Sequence, residues 1–264
     1  MPELPDVENF KRYFLATSID KKIADVSCDL KKLVKGTEFP RLRKALRGKK
    51  FSWARRRGKF LITRVSGRGE KLVFHFGMTG SLLYVKKKEK ADDRHSHLIF
   101  TFKNGDRLHW KNMRKLGKVY FVKKLKKIPL LRDMGPEPLG ISREDFFSLL
   151  ELHKNKNVKS FLLNQRNIAG IGNIYSDEIL FKARISPHNA IDALTARKKS
   201  ALYNAMRRVL KRAIAIGVPW AGFGPTWLIK HRGKSKKCPR NKSHRLKREI
   251  IAGRAAIWCP GCQR

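Results

Sequence analysis

Acidic residues are scarce in this sequence. Its 264 residues include 21 Asp and Glu against 62 Lys and Arg, which gives a formal net charge of +41. A chain this basic attracts polyanions. It lacks an unbroken apolar run of the roughly 18 residues that a membrane span requires, and it begins without the basic start and apolar stretch of a signal peptide. These absences favour nucleic acid over a membrane as partner, although a solvated lysine-rich surface accounts for part of the charge.

Cysteine is also scarce. Cys28 is isolated, whereas Cys238, Cys259 and Cys262 lie close together near the end of the sequence. This clustering, with a Cys-x2-Cys pair, favours a metal site in a reducing compartment over disulfides. With His244 as fourth ligand, three thiolates and one imidazole suit a tetrahedral structural zinc ion. In the alternative interpretation, His244 is a surface residue and the chain around it folds without metal.

The spacing of apolar residues changes along the chain. Val7, Phe10 and Phe14 share one face of a helix predicted to start near Pro5. From about residue 23 to residue 122, short runs of period two, such as KFLITRV, KLVFHF and SHLIFTF, alternate with turns. This pattern is typical of strands and predicts an antiparallel sandwich or barrel.

A second region follows a linker predicted near residues 124–140, where proline, glycine and charge accumulate. Its spacing is helical, with helices predicted over 156–166, 173–183 and 193–216. Further on, the run IIAGRAAI predicts two short strands joined at residues 252–254. The sequence therefore combines a β-rich half, a helical half and a short β-hairpin.

The stretch NIAGIGNIYSDEIL lies between two of the predicted helices. Gly170 and Gly172 predict a tight turn, with Asn173 near the start of the second helix. Backbone N–H groups at such a helix start can bind phosphate. An ordinary helical hairpin uses glycine in the same way, so the turn alone indicates little.

Three motifs occur together: MPELPDVE at the beginning, AGIGNIYSDEIL in the helical half and AGRAAIWCPGCQ at the end. They resemble the formamidopyrimidine-DNA glycosylase and endonuclease VIII family of base-excision repair enzymes, as do RRRGKFL, HFGMTGSL and MGPEPL in the same order. The resemblance covers the whole chain. It implies an α+β fold with a catalytic antiparallel β-sandwich domain with flanking helices over 1–130, a DNA-binding helix-two-turn-helix domain over 131–231, and a β-hairpin zinc finger over 232–264.

The resemblance also implies a catalytic set. After removal of Met1, the secondary amine of Pro2 would attack the deoxyribose C1′ and form an iminium ion. Glu3 would protonate the sugar ring oxygen, and Lys59 would contact phosphate and assist elimination. Asp6, one methylene shorter than the usual Glu of the family, would have a supporting role.

Further residues match positions of the family that contact DNA. Flipping a base out of the duplex leaves a gap, and the residues that would fill it are Met78, Arg114 and Leu116. Here NMRKLG replaces a DPRRFG-like run, and Leu116 stands where an aromatic residue is common. The expected phosphate contacts are Lys59, His75, Asn173 and Arg254, with Lys159 near the DNA.

Two stretches depart from the family pattern. Asn241 replaces the second of four zinc-binding cysteines, and His244 is its natural substitute. Without a metal ion, the hairpin would resemble that of zinc-free relatives. The stretch GVPWAGFGPTWLIK looks shorter than the loop that closes over 8-oxoguanine in some relatives. Formamidopyrimidines, hydantoins and oxidised pyrimidines are therefore expected as substrates at least as much as 8-oxoguanine.

Pro2, Glu3 and Lys59 favour an enzyme that removes oxidised bases from double-stranded DNA and cuts the strand by β,δ-elimination. The alternatives are a non-catalytic DNA- or RNA-binding protein on the same scaffold and a lyase that acts mainly on abasic sites. A monomer is the simplest expectation. Such a protein is expected in the cytoplasm at the nucleoid, or in the nucleus of a eukaryote.

Overall fold

The computed structural model describes residues 1–90, 92–217, 222–232 and 237–264. These residues form two compact units: a sandwich unit of Met1–Pro2 and Asp6–Arg132, and a helical unit of Glu3–Pro5 and Asp133–Arg264. Residues 218–221, part of the loop that the sequence predicts to be short, lie outside the described residues. Within the described ranges, no helix is long and apolar enough to cross a bilayer.

The sandwich unit contains two sheets. Its elements are α1 (Leu4–Ser18), β1 (Ile23–Ser27), β2 (Val34–Lys35), α2 (Phe39–Leu46), β3 (Phe51–Arg57), β4 (Phe60–Val65), β5 (Lys71–His75), β6 (Gly80–Val85), β7 (Ser96–Phe102), β8 (Arg107–Asn112), β9 (Lys118–Val122) and α3 (Pro129–Arg132). The sheets have the strand orders β1-β7-β8-β6 and β2-β9-β5-β4-β3. All their pairings are antiparallel except that of β2 with β9. The predicted antiparallel sandwich is confirmed.

Aromatic rings fill the core of this unit. Phe51 lies 5.1 Å from Phe14 and 5.4 Å from Phe100 between ring centroids, and all three are fully buried. They come from a helix and from both sheets, so the same apolar positions that set the period-two pattern hold the layers together.

The helical unit contains α4 (Arg143–Leu152), α5 (Val158–Leu163), α6 (Asn173–Ala183) and α7 (Ala196–Ile216). The side chains of Asn157 and Thr195 accept hydrogen bonds from backbone N–H groups of α5 and α7. Since each cap sets a helix start, these helices begin later than predicted. The linker predicted near residues 124–140 contains the boundary between the two units, and a 3-10 helix over 125–127 and α3 lie within it.

The hairpin consists of β10 (Lys247–Ile251) and β11 (Arg254–Trp258). Ala252 and Gly253 form its two-residue turn with φ of 52° and 69°. Positive φ at both positions matches the twist of a tight antiparallel hairpin, and glycine adopts it without strain. The two predicted strands are confirmed.

Candidate functional site

Glu3 is fully buried and bound at the start of α6. Its carboxylate accepts hydrogen bonds from the backbone N–H groups of Gly172 (2.6 Å), Ile174 (2.8 Å) and Tyr175 (3.3 Å). The positive end of the helix dipole adds to these bonds. One predicted catalytic acid is therefore held in place by three backbone donors.

The two glycines before α6 make this approach possible. A Cβ on Gly172 would lie 2.4 Å from the Glu3 carboxyl carbon, and a Cβ on Gly170 would lie 2.7 Å from Cβ of Leu4. Gly170 also has φ of +81°. The two glycines thus allow Glu3 and Leu4 to approach the backbone closely, in addition to forming the predicted turn. The prediction that this helix start presents its N–H groups to phosphate needs correction, because Glu3 occupies three of them.

Pro2 directly precedes Glu3 and is partly exposed. Asp6 belongs to the first turn of α1 and is buried. A partly exposed residue thus directly precedes a fixed, buried acid.

Lys59 and His75 lie together on the sandwich unit. Lys59 precedes β4, and Phe60 pairs with His75 of β5, with ring centroids 4.8 Å apart. Burial, followed by the charges of Lys59 and Lys118, lowers the pKa of His75 to about 4. At neutral pH, the His75 imidazole is therefore uncharged.

The three predicted gap-filling residues are exposed. Met78 lies between β5 and β6, while Arg114 and Leu116 lie between β8 and β9. The Arg114 backbone N–H donates to Thr79 Oγ1 at 2.9 Å, which joins the two turns. The structure thus joins the two turns that carry the residues to which the resemblance assigns one task.

Lys159 is fully buried and forms an ion pair with Asp177. Asp177 also accepts from Arg232 Nη1 at 2.6 Å and from the Ile257 backbone N–H at 3.1 Å. A direct contact of Lys159 with DNA would require this buried pair to open, so the structure corrects that prediction toward a structural role. Sequence reasoning missed Asp177, which lies in α6 next to a second acid, Glu178.

Asn173 and Arg254 lie at the junction of α6 with the hairpin. The Asn173 Nδ2 donates to the Ala255 carbonyl at 2.8 Å. Arg254, the first residue of β11, is exposed beside the turn. Because Asn173 and Asp177 both bind β11, α6 holds the strand that carries Arg254.

Three cysteines and one histidine converge at the base of the hairpin. The Sγ atoms of Cys238, Cys259 and Cys262 lie within 4.8 Å of one another. His244 Nδ1 lies 3.3 Å from Cys262 Sγ and 3.7 Å from Cys259 Sγ. Tetrahedral zinc, with bonds of about 2.3 Å to sulfur and about 2.0 Å to nitrogen, needs ligand separations of roughly 3.5 to 3.8 Å. The three cysteines could therefore hold a metal ion, and His244 lies close to two of them, Cys259 and Cys262.

The chemistry of this cluster also suits a cation. Burial and hydrogen bonds with the other two thiols raise the pKa of Cys259 to about 12. A bound metal would favour the thiolate instead. A Cβ on Gly261 would lie 2.5 Å from His244 Nδ1, so the glycine leaves room for the imidazole.

The sandwich, the glycine turn before α6 and the cysteine hairpin define a protein of the helix-two-turn-helix class. Residues 1–119 match the formamidopyrimidine-DNA glycosylase N-terminal domain, and residues 134–220 match the H2TH domain of the same enzymes. The chain belongs to the formamidopyrimidine-DNA glycosylase and endonuclease VIII family.

Relatives along the whole chain support this membership. Formamidopyrimidine-DNA glycosylases of Pelotomaculum thermopropionicum and Carboxydothermus hydrogenoformans are 33% and 35% identical, with 100% of this chain and 99% and 100% of those proteins covered. Fpg (MutM) of Lactococcus lactis, solved with DNA that contains N7-benzyl-Fapy-dG, is 29% identical with a TM-score of 0.85 and complete coverage of both chains. Another Lactococcus lactis Fpg structure contains DNA with an abasic site; its TM-score is 0.86 at 29% identity, with 99% of each chain covered.

Proposed function

We propose that this protein is a base-excision repair glycosylase with lyase activity on abasic sites, and that Pro2 is its nucleophile. The observation that carries the proposal is the juxtaposition of Pro2 with a Glu3 carboxylate bound by three backbone N–H groups. A binding protein without catalysis would need neither the proline amine nor a buried acid whose approach requires two glycines.

The reaction begins when Met1 is removed and the Pro2 nitrogen becomes a secondary amine. A terminal amine with a reference pKa of about 8 is partly neutral at physiological pH. Its lone pair attacks C1′ as the bond from C1′ to the damaged base breaks, and the base leaves with the bonding electrons and takes up a proton. The nitrogen then loses its proton to Glu3, which gives a proton to the ring oxygen as the sugar opens, and an iminium ion remains between Pro2 and C1′.

Elimination follows from the charge of the iminium ion. It acidifies the C2′ proton, so loss of that proton expels the 3′ phosphate, and a second elimination expels the 5′ phosphate. Lys59 stabilises the phosphate charge, while neutral His75 donates a hydrogen bond. Water finally hydrolyses the iminium ion, which releases the sugar fragment as an aldehyde and restores the Pro2 amine.

The proposed substrates are oxidised bases in duplex DNA: formamidopyrimidines, hydantoins, oxidised pyrimidines and 8-oxoguanine. The names of the relatives support formamidopyrimidines first. The protein would work as a monomer at chromosomal DNA, in the cytoplasm or in the nucleus. Its net charge of +41 supports binding through phosphates that weakens steeply as salt rises.

A structural zinc ion, held by Cys238, His244, Cys259 and Cys262, belongs to this proposal. The ion would crosslink the base of the hairpin, and the residues themselves would present Arg254 to a phosphate. The cluster of three cysteine sulfur atoms, with His244 Nδ1 near two of them, supports zinc.

Borohydride trapping tests the proposed function. The purified protein is incubated with duplexes that contain a formamidopyrimidine, another oxidised base or an abasic site, and the crosslink is mapped by mass spectrometry. We expect it on Pro2, with Met1 absent from the intact mass. Pro2→Gly should trap far less, whereas Pro40→Ala, a change at an exposed proline of α2, should trap as the wild type does. Intact DNA binding with no crosslink, in protein shown to lack Met1, would contradict the proposal.

A further inference from the structure

Asn112 is the last residue of β8, and it is buried and makes four hydrogen bonds. Its Nδ2 donates to the Phe76 carbonyl at 3.0 Å, and its Oδ1 accepts from the Leu116 backbone N–H at 3.2 Å. Its backbone N–H donates to His95 at 2.8 Å, and its carbonyl accepts from Lys115 at 3.0 Å. The side chain is fully buried, so each of its bonds replaces one to water and would be costly to lose.

The side chain connects two turns, residues 76–80 and residues 112–117. Their backbones touch directly, because a Cβ on Gly77 would lie 2.7 Å from the Gly117 nitrogen. A Cβ on Gly117 would in turn lie 2.1 Å from Asn112 Nδ2. The Arg114 backbone N–H bonds to Thr79 Oγ1 as a second link. The two turns are therefore packed and hydrogen-bonded to each other as one body, and the Asn112 amide lies between them.

Large side chains project from this body. Met78 is 37% exposed, Leu116 is 49% exposed and Met113, next to Asn112, is 60% exposed. Arg114 is exposed between them in sequence. Apolar side chains held outward by a rigid turn are suited to enter a base stack, since an unsupported loop would yield before the stacked bases separate.

We propose that Asn112 is a positioning residue for flipping the damaged base out of the duplex. Its side-chain amide holds the 112–117 turn against the 76–80 turn and so fixes Met78, Arg114 and Leu116 relative to one another. This role rests on the proposed function. An acid at this position could accept from Leu116 but, when ionised, could not donate to Phe76. The amide provides both bonds.

The test compares Asn112→Ala with wild-type protein in three single-turnover measurements. These are excision of a formamidopyrimidine, cleavage of a preformed abasic site, and fluorescence of a 2-aminopurine beside the lesion. We expect excision to fall by about 10- to 100-fold, because misplacement by about 1 Å costs this much. The rise in 2-aminopurine fluorescence should be lost to a similar extent. Cleavage of the abasic site should change by less than about threefold, since there is no base to unstack.

Two further variants keep the result interpretable. Thr79→Val removes the second link without changing Asn112 and should lower excision by about three- to tenfold, through loss of one hydrogen bond. Asn104→Ala, at an exposed turn between β7 and β8, is the matched control and should leave all three measurements unchanged.

The outcomes separate this role from the proposed function. Equal losses of excision and abasic-site cleavage in the Asn112 and Thr79 variants would indicate general damage and overturn the positioning role. Unchanged excision in both folded variants would also overturn it. If wild-type protein neither excises, nor cleaves, nor traps through Pro2, the proposed function fails, and this role fails with it.

Discussion

The two units handle buried charge in different ways. In the sandwich unit, the buried titratable groups include Asp6, His97 and His109, and burial lowers the pKa of His109 and so favours its neutral form. In the helical unit, Glu3, Lys159, Asp177 and Glu178 are all buried within α5, α6 and the segment that precedes α1. The sandwich unit is therefore held mainly by apolar packing, whereas the helical unit includes a network of charges.

Buried ion pairs are expensive, because desolvation offsets most of their attraction. Apolar residues of similar volume in place of a buried ion pair often leave a protein equally stable or more stable. Here the charges fix particular atoms: the start of α6 binds Glu3, and Asp177 binds both Lys159 and strand β11. In the helical unit, buried charges therefore fix the positions of Glu3, Lys159 and strand β11, and the desolvation of these charges lowers its stability.

The largest effect is expected for Glu3→Gln. A glutamine amide would place an N–H group against the N–H donors of α6 and would remove the proton donor. Base excision should fall by about 10²- to 10⁴-fold, the usual contribution of a positioned acid or base. Single-turnover excision measures this, with DNA affinity as the control. A loss of less than tenfold would show that the buried acid only supports the fold.

Asp177→Asn should cause the largest loss of stability. It leaves Lys159 and Arg232 without their shared carboxylate, and an unpaired buried charge costs about 3 to 5 kcal/mol. Asp25→Asn is the control in the sandwich unit, where Arg43 binds an exposed carboxylate at 2.6 Å. The control should hardly change the melting temperature, since exposed ion pairs contribute little. Equal losses in both variants would remove the distinction between the units.

The next largest effect is expected at the cysteine cluster, which belongs to the helical unit only. Purified protein should contain zinc, and His244→Ala should lose most of it and weaken DNA binding through Arg254. His244→Cys should retain the ion, because four thiolates also suit tetrahedral zinc. Metal analysis and DNA affinity measure the two effects, with His153→Ala as control. Full metal content in His244→Ala would place the fourth ligand elsewhere.

The smallest effects concern pH, and they have opposite signs in the two units. The folded pKa of His75, about 4, lies below its ordinary value of 6.5, so its contribution to stability is present above pH 6.5 and is lost as pH falls toward 4. Burial raises the pKa of Glu178 to about 7 from 4.5, so its contribution is present below pH 4.5 and is lost as pH rises through 7.

Glutamine variants isolate the two contributions. Relative to wild type, Glu178→Gln should gain about 2 kcal/mol between pH 4.5 and pH 7.5, and His75→Gln should gain a similar or smaller amount as pH falls from 7 to 4. Thermal unfolding across this range measures both. Parallel pH profiles for both variants and the wild type would contradict the assigned pKa shifts.

The fold followed from local patterns. Period-two runs predicted the strands around Phe60–Val65 and Ser96–Phe102, and the run IIAGRAAI predicted the β10–β11 hairpin. Such patterns depend on neighbours a few residues away, so they can be interpreted directly from the sequence. Helix starts at Val158 and Ala196 were less accurate, because several polar residues nearby could have served as caps.

The sequence by itself determined the family through three ordered motifs, and it also gave the basic charge and the four candidate metal ligands. Only the tertiary structure decided what several of these residues bind. Glu3 and the start of α6 are 169 residues apart in the chain, and Asn112 and Phe76 are 36 apart. In the structure, Lys159 forms an ion pair with Asp177, and Gly172 leaves room for the Glu3 carboxylate. Contacts between distant segments depend on how whole layers pack, and no local spacing of residues encodes which partner a side chain will meet.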